Sequence, residues 1–273
     1  MRVASLHVYP VKSTRGTDLR WATVEPWGLA GDRRWMVVDR DGDLVTGREE
    51  PRLLSVTAHV VGPDRLVLEG PHAEPMTVVA SVADPAPVRV WDVVLVASRP
   101  SADADAWFGK LLDRDVRLVY ADDPTRRSVN PSTGRPGDCV SFADGYPLLL
   151  TTTASLARLN DWVAEEAALR GESDPAPLVM ARFGPSVVVD TVDAFAEDGW
   201  RGLRIGAVPF RVAQGCDRCV MTTIDPDTLA KGKEPIRTLA RHRSWDGKVW
   251  FGVNLIPDRT GTIAVGDPVE VAA

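Results

Sequence analysis

Apolar and polar residues alternate over short runs through the first third of the chain, and turn-forming residues separate those runs. A period of two sends neighbouring side chains to opposite faces of a pleated strand, so this pattern predicts a sheet-rich or barrel-like region. Strands are expected over 3–9, 35–39, 53–61, 66–69, 76–80 and 88–97. Asp41-Gly42 marks a hairpin turn after the second of them, because this pair tolerates positive φ. Ser101 then offers a helix N-cap, with Asp103 and Asp105 in the first turn and Trp107, Phe108, Leu111 and Leu112 at helical spacing.

Residues 122–138 carry Pro, Gly, Ser, Thr and Asn without an apolar period, which predicts a long loop or lid and puts a domain boundary near residue 120. Beyond it the pattern gives a buried strand over 146–150 and a helix presenting Leu156, Leu159 and Val163, ending at Gly171. Strands return at 186–190, 203–205, 208–212 and 249–255, residues 220–224 read as a further β run, and Glu234-Pro235 opens a short third helix. The expected class is mostly β with a few helices (α+β), in two domains over 1–120 and 121–273.

Composition narrows the partners. Acidic residues outnumber basic ones, 38 to 32, and no Lys/Arg run is long enough to track a phosphate backbone, so nucleic acid is not an expected partner. No apolar run approaches the ~20 residues of a membrane helix, and no signal peptide or membrane association is expected. Three cysteines, Cys139, Cys216 and Cys219, are too few and odd in number for a secreted disulfide framework, which fits a reducing, cytoplasmic setting.

The densest chemical signal is Gly215-Cys216-Asp217-Arg218-Cys219-Val220-Met221-Thr222-Thr223-Ile224-Asp225-Pro226-Asp227. Structural zinc needs about four ligands and no second Cys pair exists, while a thioredoxin-like site would place the pair at the start of a helix. Three readings stay open at this point: a reactive thiolate, one soft ligand to a metal that a cofactor brings, or two cysteines packed at a strand end. Two other loops carry cations beside strands. Tyr9-Pro10-Val11-Lys12-Ser13 follows the first strand, and Gly31-Asp32-Arg33-Arg34-Trp35 precedes the next. Both can grip an anion, and both can equally be ordinary surface charge.

In order along the chain, these pieces resemble a known family. The Tyr-Pro-Val-Lys-Ser opening, Asp32-Arg33 with Trp35, and Thr46-x-Arg48 with Pro51-Arg52-Leu53 come first. Tyr146-Pro147-Leu148-Leu149-Leu150 with Ala154-Ser155-Leu156, and Ala196-Glu197-Asp198 with Trp200, follow. Cys219 with Thr222-Thr223-x-Asp225-Pro226-Asp227-Thr228 and the ending Gly266-Asp267-Pro268-Val269 complete the set. Together they resemble MOSC-domain proteins preceded by the MOSC N-terminal β-barrel domain, and among those the amidoxime-reducing components and bacterial reductases of N-hydroxylated compounds. The resemblance implies a β-barrel fold for both domains, a molybdenum-molybdopterin cofactor, and Cys219 as both the metal ligand and the catalytic residue. It further implies cofactor contacts from Lys12, Ser13, Arg33, Gly145, Tyr146, Arg182, Asp217 and Thr223.

The pattern departs where those reductases carry Arg-Phe-Arg-Pro-Asn and this chain has Arg182-Phe183-Gly184-Pro185-Ser186. A five-donor fork is lost at Gly184, and Ser186 is a shorter stand-in for the amide that contacts the cofactor. The implied reaction is reduction of the N–O bond of an N-hydroxylated small molecule. Three cysteines cannot supply a molybdenum ligand and a four-cysteine cluster together, so electrons are expected from a separate ferredoxin- or flavoprotein-type donor. A non-redox carrier of the cofactor, a sulfur-transfer protein, and a binding module that has lost the metal are the alternatives. Asp225, immediately before Pro226, is expected to serve a turn.

Overall fold

The computed structural model describes every residue except Pro63, His72, Ala83, Asp174 and Ala273. Strands dominate and three α-helices are present among the described residues: α1 Ala102–Leu112, α2 Thr153–Leu169 and α3 Ile236–His242. The mostly β, α+β class is as expected. None of the helices is long and apolar enough to cross a membrane.

The chain forms two compact units that interleave in sequence. One is built from Met1–His7, Asp18–Glu25 and Leu148–Ala273, the other from Val8–Thr17 and Pro26–Pro147. In the first unit a nine-stranded sheet runs in the order Val269–Val271, Gly202–Ile205, Val208–Asp217, Lys248–Pro257, Leu148–Thr152, Val187–Asp190, Arg2–Val8 and Thr17–Leu19, with Ser244–Trp245 paired to one end of Lys248–Pro257. Leu148–Thr152 and Val187–Asp190 are parallel neighbours, which demands a long crossover, and α2 supplies it. Thr152 caps that helix by accepting from Ser155 N. Glu197, with 0% exposure, takes hydrogen bonds from the hydroxyls of Thr152 and Ser155, and Ser155 Oγ in turn accepts from Phe195 N. The Ala154-Ser155 and Ala196-Glu197-Asp198 pieces are thus two sides of one buried polar joint. Burial pushes the Glu197 carboxyl upward despite those hydrogen bonds. Leu159 and Val163 of α2, Leu239 of α3, Phe183 and Phe251 form the core beneath.

The second unit holds a four-stranded sheet, Trp35–Asp39, Val116–Tyr120, Val93–Ser98 and Pro85–Val90, and a three-stranded one, Thr57–Gly62, Arg65–Gly70 and Ala73–Val79. Ser101 caps α1 through Ala104 N, and Ala104, Trp107, Phe108 and Leu112 bury one face of that helix against Trp35, Leu53, Leu66, Leu68 and Leu118.

Several local expectations change. Neither unit closes into a barrel: the described sheets are open. In the large one the two ends approach through the isolated bridge Arg2↔Pro268 and the bonds Val3 N to Asp267 O, Gly266 N to Val3 O, Val269 N to Met1 O and Arg2 Nη1 to Gly266 O. The strand expected over 53–61 begins instead with the 3-10 turn Pro51–Ser55, where Pro51 has no N–H to give a ladder. The run 88–97 is a hairpin, because Trp91 takes φ 56° and reverses the chain between Pro85–Val90 and Val93–Ser98. The strand expected over 208–212 continues to Asp217. Val116–Tyr120 is an additional strand that the pattern did not single out. Residues 220–224 hold no strand but the 3-10 turn Val220–Thr223, since the Thr222 and Thr223 hydroxyls bond back to the carbonyls of Cys219 and Val220.

Candidate functional site

In the first unit, strand Val208–Asp217 delivers Cys216 and Asp217 to its end, and the chain then turns at Cys219 into Val220–Thr223. Arg218 fixes this turn. Its backbone N–H donates to Val249 O at 2.8 Å, its guanidinium donates to Phe183 O at 2.6 Å, and its Nη1 lies 2.9 Å from Cys216 Sγ. Cys219 is half-buried, and its Sγ has no hydrogen-bond partner among the described residues. Cys139 is buried, and desolvation, with Asp138 and Asp123 nearby, pushes its thiol up. The three thiols therefore differ: one engaged by a guanidinium, one secluded and protonated, and one presented without a partner.

Arg182 comes from the 3-10 turn Met180–Phe183 and donates to Asp225 Oδ2 at 2.6 Å, with Thr222 O at 3.5 Å. Asp225 Oδ1 accepts from the N–H groups of Asp227 and Thr228 and from the Thr228 hydroxyl. The Thr228 bonds, with Arg182 adding its charge, hold its carboxyl below the usual range, so Asp225 is a turn anchor kept ionised and not a proton donor. Gly184 takes φ 63° at the end of the Met180–Phe183 turn, a conformation that glycine adopts without the Cβ penalty. Ser186 is fully buried, where its hydroxyl accepts from Leu149 N at 3.4 Å. Thr223 Oγ1 is used within its own turn, and Asp217 is half-exposed with Lys248 at 3.7 Å.

The second unit gathers a separate set of charges. Lys12 is 6% exposed and ion-paired with Asp144. Burial pushes the Lys12 ammonium below the usual lysine range; Asp144 opposes that shift while Arg127 and Arg33 reinforce it. Arg33 donates to Asp32 Oδ2 at 2.6 Å and lies 4.1 Å from the centre of the Tyr9 ring, while Asp32 Oδ1 accepts from Tyr9 N. Desolvation works against the Arg33 charge, but the Asp32 pair outweighs it and raises its pKa. Ser13 and Arg33 both have left-handed backbones, φ 69° and 45°, strain of a kind that packing must impose on residues with a Cβ. Arg127, 5% exposed, donates to the carbonyls of Ser141, Ala143 and Asp144, and burial pulls its pKa down to about 10. It thereby shapes the loop carrying Asp144, Gly145 and Tyr146. Tyr146 Oη lies 2.7 Å from Thr133 Oγ1, and a Cβ placed on Gly145 would meet nothing within 4 Å, which leaves that backbone bare on one side. Arg48 lies over the Trp91 ring at 4.7 Å. Lys12, Arg33, Arg48 and Arg127 stand against Asp32 and Asp144, four cations to two carboxylates.

Desolvation raises the Asp144 pKa, but Lys12, followed by Arg33 and Arg48, outweighs it and holds the carboxyl far below the usual range. The side chain is 73% exposed, so these cations and not seclusion decide its ionisation. A carboxyl depressed on folding stabilises fully above its unfolded pKa, ~3.9, and that contribution fades as pH falls toward the folded value. In Lys12→Met the Asp144 pKa is expected to rise toward ~3.9, read by carboxyl carbon NMR. An unmoved titration would assign the effect to Arg33 and Arg48 alone.

Lys12, Ser13, Arg33, Gly145 and Tyr146 thus share one unit, and Arg182, Ser186, Asp217, Cys219 and Thr223 the other. Sequence reasoning missed Arg127, Asp144 and Arg218. The first two look like ordinary loop charges in the sequence. Arg218, between the two cysteines, is the one that residue type and position could have flagged.

Residues 1–115 match the MOSC N-terminal beta barrel domain, and residues 138–270 match the MOSC domain. The chain is 32% identical over 287 residues to mitochondrial amidoxime-reducing component 1 of Homo sapiens, covering 98% of this chain and 82% of that protein. Identity to mitochondrial amidoxime reducing component 2 is 33% over 291 residues for Rattus norvegicus and 30% over 288 residues for Homo sapiens, again covering 98% of this chain and 82% of each relative. With both domains present in order and similarity along nearly its whole length, the chain belongs to the MOSC-domain family that includes the amidoxime-reducing components.

Proposed function

We propose that this protein is a molybdenum-pterin-dependent reductase of N-hydroxylated small molecules in which Cys219 ligates the metal. The observation that carries the reading is the contrast between the two thiols of one turn: Arg218 engages Cys216, while Cys219 Sγ is left without a partner. The donor set suits such a group. No cluster of three or more His, Cys, Asp or Glu side chains able to hold a metal occurs among the described residues, so a metal on Cys219 would draw its other ligands from a cofactor. Thiolate is the protein ligand that soft metals prefer. Arg182 Nε and Arg218 Nε are buried without acceptors, leaving cationic N–H capacity beside this turn that suits an anionic group.

When bound, the cofactor would supply two-electron oxygen-atom chemistry, and the chain would supply grip and orientation. Arg218 holds the Cys219 turn against Phe183 O and Val249 O. Arg182 braces its far side through Thr222 and Asp225. Within the second unit, Lys12, Ser13, Arg33, Gly145 and Tyr146 are the residues proposed to receive an anionic group. Electrons come from a separate ferredoxin- or flavoprotein-type donor.

Protein produced in a host that makes the pterin cofactor, followed by metal mass spectrometry, tests the assignment. Near-stoichiometric molybdenum is expected in the unmodified protein and in Cys216→Ala, and none in Cys219→Ala. Absence of molybdenum from the unmodified protein would overturn the reading. A loaded, chemically reduced protein inert toward a broad panel of hydroxylamines and amidoximes would overturn the substrate class.

A further inference from the structure

Strand Arg2–Val8 reads Val3-Ala4-Ser5-Leu6-His7-Val8, and strict alternation would put Val3, Ser5 and His7 on one face. The ladder to Val187–Asp190 shifts register between Val3 and Ser5, where Val3 pairs with Val189 and Ser5 with Val188. The bulge inverts the parity of the residues beyond it, so Val3, Leu6 and Val8 are all buried while Ser5 and His7 turn together to the accessible side. The adjacent strand, Thr17–Leu19, presents Asp18 to them. His7 Nδ1 lies 2.7 Å from Asp18 Oδ1, and His7 Nε2 lies 2.8 Å from Ser5 Oγ.

These two contacts set the proton positions. An ionised carboxylate only accepts, so with His7 neutral the ring proton sits on Nδ1 and points at Asp18. The Nε2 lone pair then faces the Ser5 hydroxyl, which donates to it. A hydroxyl in reach of a base, with the base oriented by a third group, is the arrangement that activates a serine nucleophile, and it is recognised by geometry and not by place in the sequence.

We propose that Ser5, His7 and Asp18 form an acyl-accepting nucleophilic site that takes small activated carboxylic esters. Ser5 Oγ attacks the ester carbon as His7 Nε2 removes its proton. The C–O bond to the leaving group breaks, and that proton passes from His7 to the departing oxygen, leaving the acyl group on Ser5. Water then attacks the acyl carbon as His7 Nε2 takes its proton, the bond from Ser5 Oγ to the acyl carbon breaks, and His7 returns the proton to Oγ, giving free Ser5 and a carboxylic acid. Asp18 orients His7 and offsets the imidazolium charge, but its side chain is 88% exposed, so water weakens its contribution. The site uses neither thiol chemistry nor a metal and stands apart from the Cys219 assignment.

The full-length protein treated with p-nitrophenyl acetate is expected to release p-nitrophenolate and to carry an acetyl group on the Ser5 peptide by mass spectrometry. Ser5→Ala is expected to abolish that label. His7→Gln, which keeps hydrogen-bonding capacity but not the base, is expected to slow it about 100-fold, within the usual span for a general base. The Asp18 side chain is 88% exposed, so Asp18→Asn is expected to fold normally, and the smaller slowing expected from it keeps the test valid even where a variant in the strand is unstable. Acetyl groups spread over exposed lysines and serines with none enriched on Ser5, or equal Ser5 labelling rates in the unmodified protein, His7→Gln and Asp18→Asn, would overturn the proposal.

Discussion

Gly252→Ala is expected to destabilise the first unit by roughly 2–5 kcal/mol, combining the left-handed backbone penalty with overpacking. Gly252 has φ 79°, and a Cβ there would lie 2.6 Å from Leu150 O and 2.9 Å from Thr151 Cγ2. The obstacle is the carbonyl of a neighbouring strand, which cannot rotate away as a side chain could. Gly252 also lies within Lys248–Pro257, between Val208–Asp217 and Leu148–Thr152, and the following residue, Val253, pairs with Leu150 on one side and Gly215 on the other. Relief on one edge therefore strains the other. At about 2–4 °C per kcal/mol for a chain of this size, the thermal midpoint should fall by roughly 5–20 °C. The turn bearing Cys219 continues from Val208–Asp217, so under the role proposed for Cys219 metal retention should weaken in parallel. An unchanged midpoint would mean that the close approach of Leu150 is not kept in solution.

Arg127→Met is expected to cost about 3 kcal/mol and to loosen residues 141–146 selectively. One buried guanidinium satisfies the carbonyls of Ser141, Ala143 and Asp144, and methionine keeps the hydrocarbon stem while removing every donor. With a pKa pulled down to about 10, Arg127 remains cationic at neutral pH, so the loss should not depend on pH near 7. Hydrogen exchange is the informative measurement. Val140 N–H donates to Arg127 O and Phe142 N–H to Arg33 O, and both amides should exchange faster in the variant. Arg127→Lys should recover only part of the protection, since one ammonium cannot span three carbonyls in the geometry of a planar fork. Uniformly faster exchange across the whole second unit would instead assign Arg127 a global packing role.

Local order was legible in the sequence wherever one short-range rule decided it. The Ser101 cap, the left-handed Gly171 after α2, the Asp41-Gly42 turn and strand Trp35–Asp39 all follow from residue type and period alone. The β run read over 220–224 failed because threonine favours strands on average, yet here both threonine hydroxyls are used to close a 3-10 turn. Trp91 failed for the opposite reason: nothing about tryptophan announces a positive φ, and the pairing of Val90 with Val93 imposes it.

By itself the sequence determined the class and the family, because those rest on residue identity and on the order of short motifs, and the same motifs are what single out Cys219 for the proposed role. Only the tertiary structure decided which thiol is left without a partner. Arg218 is anchored on Phe183 O from a separate segment while it engages Cys216 two residues back, and residue type alone does not say which of the two flanking thiols it takes. It also decided that Lys12 is buried against Asp144 and that Arg127 braces the loop carrying Asp144. The strand pairings that bring Asp18 to His7, and Gly252 against Leu150, likewise come from outside any local pattern. Propensities and caps act within a few residues, whereas charge burial and hydrogen-bond satisfaction depend on neighbours that only the completed sheets supply.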